Sequence, residues 1–526
     1  MIHTRFRPKR GKHRLKPLRV TVAFIAFTCL CLVFLDIHGA LPPFLGEAGL
    51  FFQFIPALVQ AVGNPDAGWG GVVTVLVLTL VLGRIYCSTL CPLGILMDLA
   101  AWIKRRLGWK TAHVYAPPHP WIRYSLLGAT VAAFTGGAMV VVSLLDPFSH
   151  FGRLASTLAR PAVVAGNNGL VRVLEAAGRY DISPVKAAGL TPGLFLFTLG
   201  VLALILGLTF TRGRFYCQTI CPVGTFLGLW AKLAPFKIRL DARGCIHCKA
   251  CSRVCKSECI DLASGTVDAD RCVVCFNCLT VCPAGAMDFG LPLKPGVETP
   301  AHTGRRSFLA ATALALVPRT SRGSQAIQVT VPNTIPVPKH PHPILPPGSV
   351  SLDRFTANCT ACHACIAHCP AHVLQPSMTQ YGLAGLFMPF LDPASGFCNL
   401  NCTACSDVCP TQAITPFTKT EKKQIQTGEV VFIRDNCIVL LQGTDCGACS
   451  EHCPTKAVTM VREGRVRVPR VHPEICLGCG ACEHVCPAKP HKAIYVRPHT
   501  VQQRAQLPPE VPAALPAPGG TTDFGF

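Results

Sequence analysis

Cysteine spacing limits what this chain can fold into more than any other feature. The 31 cysteines are too many for a plain lipid-embedded bundle, and 526 residues are too many for a small secreted disulfide scaffold. Between 241 and 290 runs Cys245-x₂-Cys248-x₂-Cys251-x₃-Cys255, then Cys272-x₂-Cys275-x₂-Cys278-x₃-Cys282-Pro283. Three closely spaced thiolates hold three irons of one [4Fe–4S] cubane, and the fourth cysteine of each run reaches across to the neighbouring cluster. One cluster is therefore expected on Cys245, Cys248, Cys251 and Cys282, and its partner on Cys272, Cys275, Cys278 and Cys255. Lys256 stands where proline usually follows the fourth cysteine, and Cys259 is spare; neither departure removes a ligand. A zinc knuckle needs only four ligands and leaves the doubled motif unexplained.

Four more runs follow: Cys359/Cys362/Cys365/Cys369, Cys398/Cys402/Cys405/Cys409, Cys437/Cys446/Cys449/Cys453 and Cys476/Cys479/Cys482/Cys486, each ending in Cys-Pro. Sixteen ligands suffice for four cubanes, which brings the expected total to six. The outer two runs are regular, and the inner two carry longer first spacings. A nested pairing, first with fourth and second with third, puts like with like; sequential pairing stays open. Cys359-Thr-Ala-Cys362-His363 also matches the c-type haem attachment signal, but that reading strands Cys365 and Cys369.

The N-terminal half is a membrane domain by composition. Uncharged stretches at 20–35, 67–83, 124–145 and 187–211 are each long enough, with their flanks, to cross about 30 Å of hydrocarbon. A fifth apolar stretch, 48–65, contains Pro56 and reads as interfacial or re-entrant. Orientation follows the basic residues. Eight Lys and Arg precede residue 20, whereas the 36–66 loop has none, so the N-terminus is expected in the cytoplasm. The basic clusters at 104–110 and 212–239 return the chain there.

An internal repeat fixes the architecture of this half. Gly83-Arg84-Ile85-Tyr86-Cys87 with Cys91-Pro92-Leu93-Gly94 recurs as Gly213-Arg214-Phe215-Tyr216-Cys217 with Cys221-Pro222-Val223-Gly224. Two parallel two-helix repeats are implied. Each carries a C-x₃-C-P at the cytoplasmic end of its second helix, so Cys87, Cys91, Cys217 and Cys221 can converge as redox or metal candidates. Arg84 and Arg214 would favour thiolate there, for an additional cluster or a redox dithiol. Cys29 and Cys31, inside the first span, read as core residues.

Between the halves, Thr303-Gly-Arg305-Arg306-Ser-Phe-Leu309 precedes a modestly apolar run and resembles a twin-arginine export signal. A domain that needs its clusters to fold must cross a membrane already folded. The expected fold is thus an α-helical membrane domain with four transmembrane helices in two parallel repeats, optionally a fifth signal-anchor helix, and α+β ferredoxin-like domains. Its divisions are a membrane domain at 1–240, a cytoplasmic two-cluster ferredoxin at 241–292 and the signal-anchor at 303–326. A Pro-rich linker at 327–350, a four-cluster domain at 351–497 and a disordered tail at 498–526 complete it. As an extended spacer of about 3.1 Å per residue, the linker spans roughly 70 Å.

The formal charge of +22 suggests an anionic partner. Six oxidised clusters at about −2 each reduce the excess to about +10. No basic, aromatic-interleaved nucleic-acid module is present, and no partner of that class is expected.

As a set, these motifs resemble a known group. The 1–290 half looks like the NapH and MauN membrane ferredoxin-type proteins, and the 303–497 half is similar to NapG and MauM, here fused into one polypeptide. The resemblance implies quinol oxidation at the bacterial cytoplasmic (inner) membrane, with electrons passed through [4Fe–4S] clusters. A periplasmic ferredoxin domain would feed a cytochrome c or a terminal reductase, as in nitrate respiration. It also favours the nested pairing, and it places Cys87, Cys91, Cys217 and Cys221 at the family's C-x₃-C-P positions.

About 30 Å of hydrocarbon is too wide for one electron hop, and no span contains a histidine for bis-histidine haem. That leaves a diffusing quinol or a redox centre at the C-x₃-C-P sites. Asp36, His38, Asp146 and His150 sit at predicted outer span ends, where polar residues are common, and locate no quinol site. The alternative function is a redox maturation factor for a respiratory metalloenzyme. An enzyme acting on a soluble substrate lacks any dinucleotide, P-loop or flavin motif.

Overall fold

The computed structural model describes residues 14–39, 43–64, 69–109, 114–186, 191–291 and 334–506. The twin-arginine segment at 303–326 lies outside the described residues. Two helices are long and apolar enough to cross a membrane by length and composition, α1 (Leu15–Leu35) and, later in the chain, Pro192–Arg212. The other expected spans are shorter or divided. The 48–65 stretch is split into α2 (Pro43–Phe51) and α3 (Phe54–Gly63), where Pro56 sits in the first turn and forfeits no intrahelical bond. The 67–83 stretch gives α4 (Trp69–Leu82), 14 residues and about 21 Å long.

After the short α5 (Tyr86–Thr89) and α6 (Pro92–Arg106), the 124–145 stretch becomes α7 (Pro120–Thr135) and α8 (Met139–Leu145). They are divided at Gly136-Gly137, where Gly137 takes φ +74°. Next come α9 (Pro147–Leu154), a π-helical turn at Ala155–Ala159, α10 (Arg160–Ala176), α11 (Pro192–Arg212), a second π-turn at Tyr216–Ile220, and α12 (Pro222–Ala231). The outer faces of the long helices are apolar: Leu18 and Phe24 on α1, Val73 and Val77 on α4, Trp121 and Val131 on α7, and Leu196 and Leu204 on α11 are all exposed.

The repeats interlock. The helix after each C-x₃-C-P packs on the helix before the other one, α6 on α11 and α12 on α4.

The first ferredoxin module pairs β1 (Lys237–Leu240) with β4 (Met287–Gly290), around the small hairpin of β2 (Ile260–Asp261) and β3 (Thr266–Val267). The C-terminal module has three antiparallel pairs: β5 (Leu374–Pro376) with β6 (Pro389–Leu391), β7 (Ile425–Phe432) with β10 (Ile494–Arg504), and β8 (Val458–Glu463) with β9 (Val466–Val471).

Two expected boundaries move. Residues 334–350 are no free spacer. Ile335 exchanges two hydrogen bonds with the Asn436 side chain, Ile344 bridges to Leu391, and Leu345 is fully buried. A proline-rich run saturates few of its own backbone groups, so it is stable when laid along a surface that supplies apolar burial. The C-terminal domain likewise extends past 497, because β10 continues to Arg504 and Gln502 accepts from the backbone of Gly348 and Val350.

Candidate redox sites

The ferredoxin sites are shaped by backbone. In each regular run, the residues before and after the second cysteine are left-handed: His247 and Lys249, Val274 and Phe276, Ala361 and His363, Gly478 and Gly480. Non-glycine residues rarely adopt this conformation, and the β-branched Val274 does so at real cost. The alternation turns successive N–H groups inward as a nest for anionic sulfur, and Gly478 N donates to Cys476 Sγ at 3.3 Å.

The thiols group into six sets of four. Cys251 faces Cys245, Cys248 and Cys282, and Cys278 faces Cys272, Cys275 and Cys255, as expected from the crossing rule. In the C-terminal domain, Cys359, Cys362 and Cys365 face Cys409, whereas Cys398, Cys402 and Cys405 face Cys369. Cys437, Cys446 and Cys449 face Cys486, and Cys476, Cys479 and Cys482 face Cys453. Pairing is therefore sequential, and the nested expectation is corrected. Each regular run joins the irregular run beside it, and β7 with β10 holds the last pair together.

These sets fit cubanes. Pockets lined almost wholly by apolar atoms open among Cys437, Cys446, Cys449 and Cys486 and among Cys369, Cys398, Cys402 and Cys405. Burial, then the Cys446 and Cys486 sulfurs, push the Cys449 thiol up to about 12. Thiolates crowded this way need a cationic core between them. Among the described residues no three His, Cys, Asp or Glu side chains close on a single ion. The two C-terminal pairs touch where Cys398 N donates to Cys479 O at 2.9 Å.

The four C-x₃-C-P thiols form a site of another kind. Cys87, Cys91, Cys217 and Cys221 are all buried and lie within electrostatic reach of one another. Cys91 and Cys221 are the N-caps of α6 and α12, with proline at the first helical position, so both sulfurs meet the positive end of a helix. Gly224 N donates to Cys221 Sγ at 3.4 Å.

The arginines cross between repeats. Arg84 donates to Cys217 O at 2.8 Å, and Arg214 donates to Cys87 O at 2.6 Å. Gly94 and Gly224 are small by necessity, because a Cβ would strike the Cys87 and Cys217 carbonyls. Both arginines are almost completely buried.

Symmetry breaks where the first ferredoxin module docks. Asp98 on α6 takes ion pairs from Arg214 (2.8 Å), Arg19 (2.5 Å) and Lys256 (3.0 Å). The equivalent position on α12 is Gly228, and there the Asp270 carbonyl from the ferredoxin module fills the space and accepts from Arg84 at 2.8 Å. Lys256, the residue replacing proline, is thus a docking pin, and its carbonyl also accepts from Arg214 N at 2.9 Å. Asp98 and Asp270 escaped sequence reading because neither repeats; Lys256 left a trace only as a missing proline.

The C-terminal module docks elsewhere on the same core. Asp146 caps α9, accepting from Phe148 N and Ser149 N, and Ser149 Oγ lies 2.9 Å from Thr360 O. Gly152 gives the Cys362 carbonyl room that a side chain would fill. Next to Cys217, the Tyr216 ring stands 6.2 Å from His150, which neighbours Arg153. Asp146 therefore supports this interface through Ser149, and His150 packs behind it against Leu144 O and Arg153. Asp36 lies at the edge of this interface, its carbonyl accepting from Arg160 at 3.1 Å, and His38 is 3.1 Å from Asn167. Cys29 and Cys31 are half-buried in α1.

Residues 68–110 and 194–241 match a family described as a 4Fe-4S binding domain, and 442–489 match a 4Fe-4S dicluster domain. The chain thus carries regions that match iron–sulfur cluster-binding domains. It is 28% identical over 225 residues to the methylamine utilization ferredoxin-type protein MauN of Methylorubrum extorquens, covering 42% of this chain and 62% of that one. The MauN of Paracoccus denitrificans is 28% identical over 223 residues, covering 40% and 62%. The ferredoxin-type protein NapH of Escherichia coli is 26% identical over 187 residues, covering 35% and 52%. The chain thus spans less than two thirds of these relatives' lengths.

Proposed function

We propose that this protein carries electrons across the bacterial cytoplasmic membrane, from quinol to a periplasmic acceptor. The carrying observation is that both ferredoxin modules dock on one four-thiol core. Cys275 shares a packed core with Cys87 and Cys217, and Cys362 lies over α9, one ring contact from Tyr216. On this reading Cys87, Cys91, Cys217 and Cys221 form an intramembrane redox centre, with Arg84 and Arg214 holding its negative charge.

When bound, each cluster supplies a one-electron couple, so the protein divides the two electrons of quinol. The chain's own part is spacing. Lys256 and Asp98 fix the inner module, α9 fixes the outer one, and the Cys398–Cys479 contact continues the route outward. The exposed apolar faces of α1, α4, α7 and α11 support membrane embedding with four crossings, the shorter helices completing theirs with α5 and α8. The acceptor is a cytochrome c or a terminal reductase, of the kind the NapH resemblance implies.

The test is anaerobic addition of a quinol to the purified protein while reduced-cluster signals are followed by electron paramagnetic resonance. Stoichiometric cluster reduction is expected. Clusters that stay oxidised with excess quinol and a competent acceptor would refute the quinol step.

A further inference from the structure

Five of the six ferredoxin runs end in Cys-Pro. After Cys282, Cys369, Cys409 and Cys453, the third following residue is left-handed (Gly285, His372, Gln412, Lys456). The fourth is a small buried apolar residue: Ala286, Val373, Ala413 and Ala457. The run ending at Cys255 follows the same path, with Glu258 left-handed at φ +47°. Its fourth residue is Cys259, 1% exposed. Where the others place a methyl or isopropyl group against the cluster, this run places a fifth sulfur.

That sulfur faces the ligands. Cys259 Sγ lies 3.6 Å from Cys255 Sγ, and it lines one pocket together with Cys255, Cys272, Cys275 and Cys278. A core cysteine in place of alanine would satisfy packing without its sulfur contacting the Cys255 sulfur and facing the pocket of the other three. Building on the cubane reading, we infer that Cys255 and Cys259 share one iron corner of the cluster held by Cys272, Cys275 and Cys278, either sulfur able to serve as fourth ligand.

The exchange is balanced. The iron–sulfur bond to Cys255 breaks as the bond to Cys259 forms, the thiol proton passes from Cys259 to Cys255, and no electron moves. Its place suits a switch, because this cluster is the one docked on the four-thiol core through Lys256, next to Cys255. A change of ligand there alters the charge and hydrogen bonding that set a cluster's potential.

The test uses the full chain purified anaerobically in detergent, with Cys255→Ala, Cys259→Ala, the double variant, and Cys282→Ala as comparator. Cys282 is the fourth ligand of the neighbouring cluster and has only Ala286 at the equivalent position. Alanine at 259 matches three of the four other runs, so that variant is expected to fold.

Cys282→Ala and the double variant should each lose about four irons per chain. Each single variant should keep the wild-type iron content, and Cys255→Ala should shift the midpoint potential or paramagnetic signature of one cluster. The inference is overturned if either single variant loses as much iron as Cys282→Ala. Wild-type protein without iron would instead sink the cubane reading itself.

Discussion

In a regular ferredoxin run, three of the four ligands lie within seven residues, and left-handed positions in that loop aim them. In the four-thiol core, the two cysteine pairs stand 130 residues apart and are aimed by helix ends and by arginines crossing from one repeat to the other. One site carries its instructions locally. The other exists only once α6 meets α11 and α12 meets α4. The difference predicts separate vulnerabilities: ferredoxin sites should depend on metal and loop conformation, and the core site on buried charge.

Removing iron should separate the regions most sharply. Where buried cysteines ring a metal site, metal binding free energy adds directly to folding free energy. Chelation should render residues 334–506 protease-sensitive while far-ultraviolet circular dichroism retains the helical signal of α1 through α12. Loss of both together would erase the distinction.

Next in size is Arg214→Leu, which leaves part of the Asp98 charge buried and uncompensated and frees the Cys87 carbonyl. Breaking such a buried pair costs about 3–5 kcal/mol, measurable by denaturant unfolding in detergent. The exposed Arg467–Asp445 pair, at 3.1 Å, is the control, and Arg467→Leu should change little. Equal effects would show that the core arginines are ordinary surface charges.

The smallest effects belong to the loops. Gly480→Ala forces a side chain to φ +83° and toward Pro393, which should cost about 1 kcal/mol. Ala361→Gly, at the left-handed position just before the second cysteine of its run, should stabilise by up to about 1 kcal/mol. Thermal unfolding of the two holo variants checks the opposite signs, and a shared sign would refute the nest geometry.

How far the sequence reveals each region follows the same division. The grouping of the 24 ferredoxin-run cysteines into runs was legible, because spacing alone marks it. Their partners in the C-terminal domain were not: which run supplies the fourth cysteine depends on which lies alongside, and irregular spacings suggested a likeness that β7 and β10 override. Convergence of Cys87, Cys91, Cys217 and Cys221 was legible from the repeat, and so were Arg84 and Arg214. Asp98 was hidden because its counterpart is Gly228, with a backbone carbonyl from another domain doing the same task. Proline content could not distinguish a free extended spacer from one laid along a domain, and hydropathy could not reveal the break at Gly136-Gly137.

The decisive measurement is vectorial. In proteoliposomes with orientation fixed by protease protection, a reductant unable to cross lipid is supplied on the side of residues 241–291, and the clusters of residues 334–506 are followed by paramagnetic resonance. Wild-type protein should fill those clusters, whereas a Cys87→Ala/Cys217→Ala variant with its six ferredoxin clusters intact should leave them oxidised. If the variant fills them at the wild-type rate, the four-thiol core is not the route.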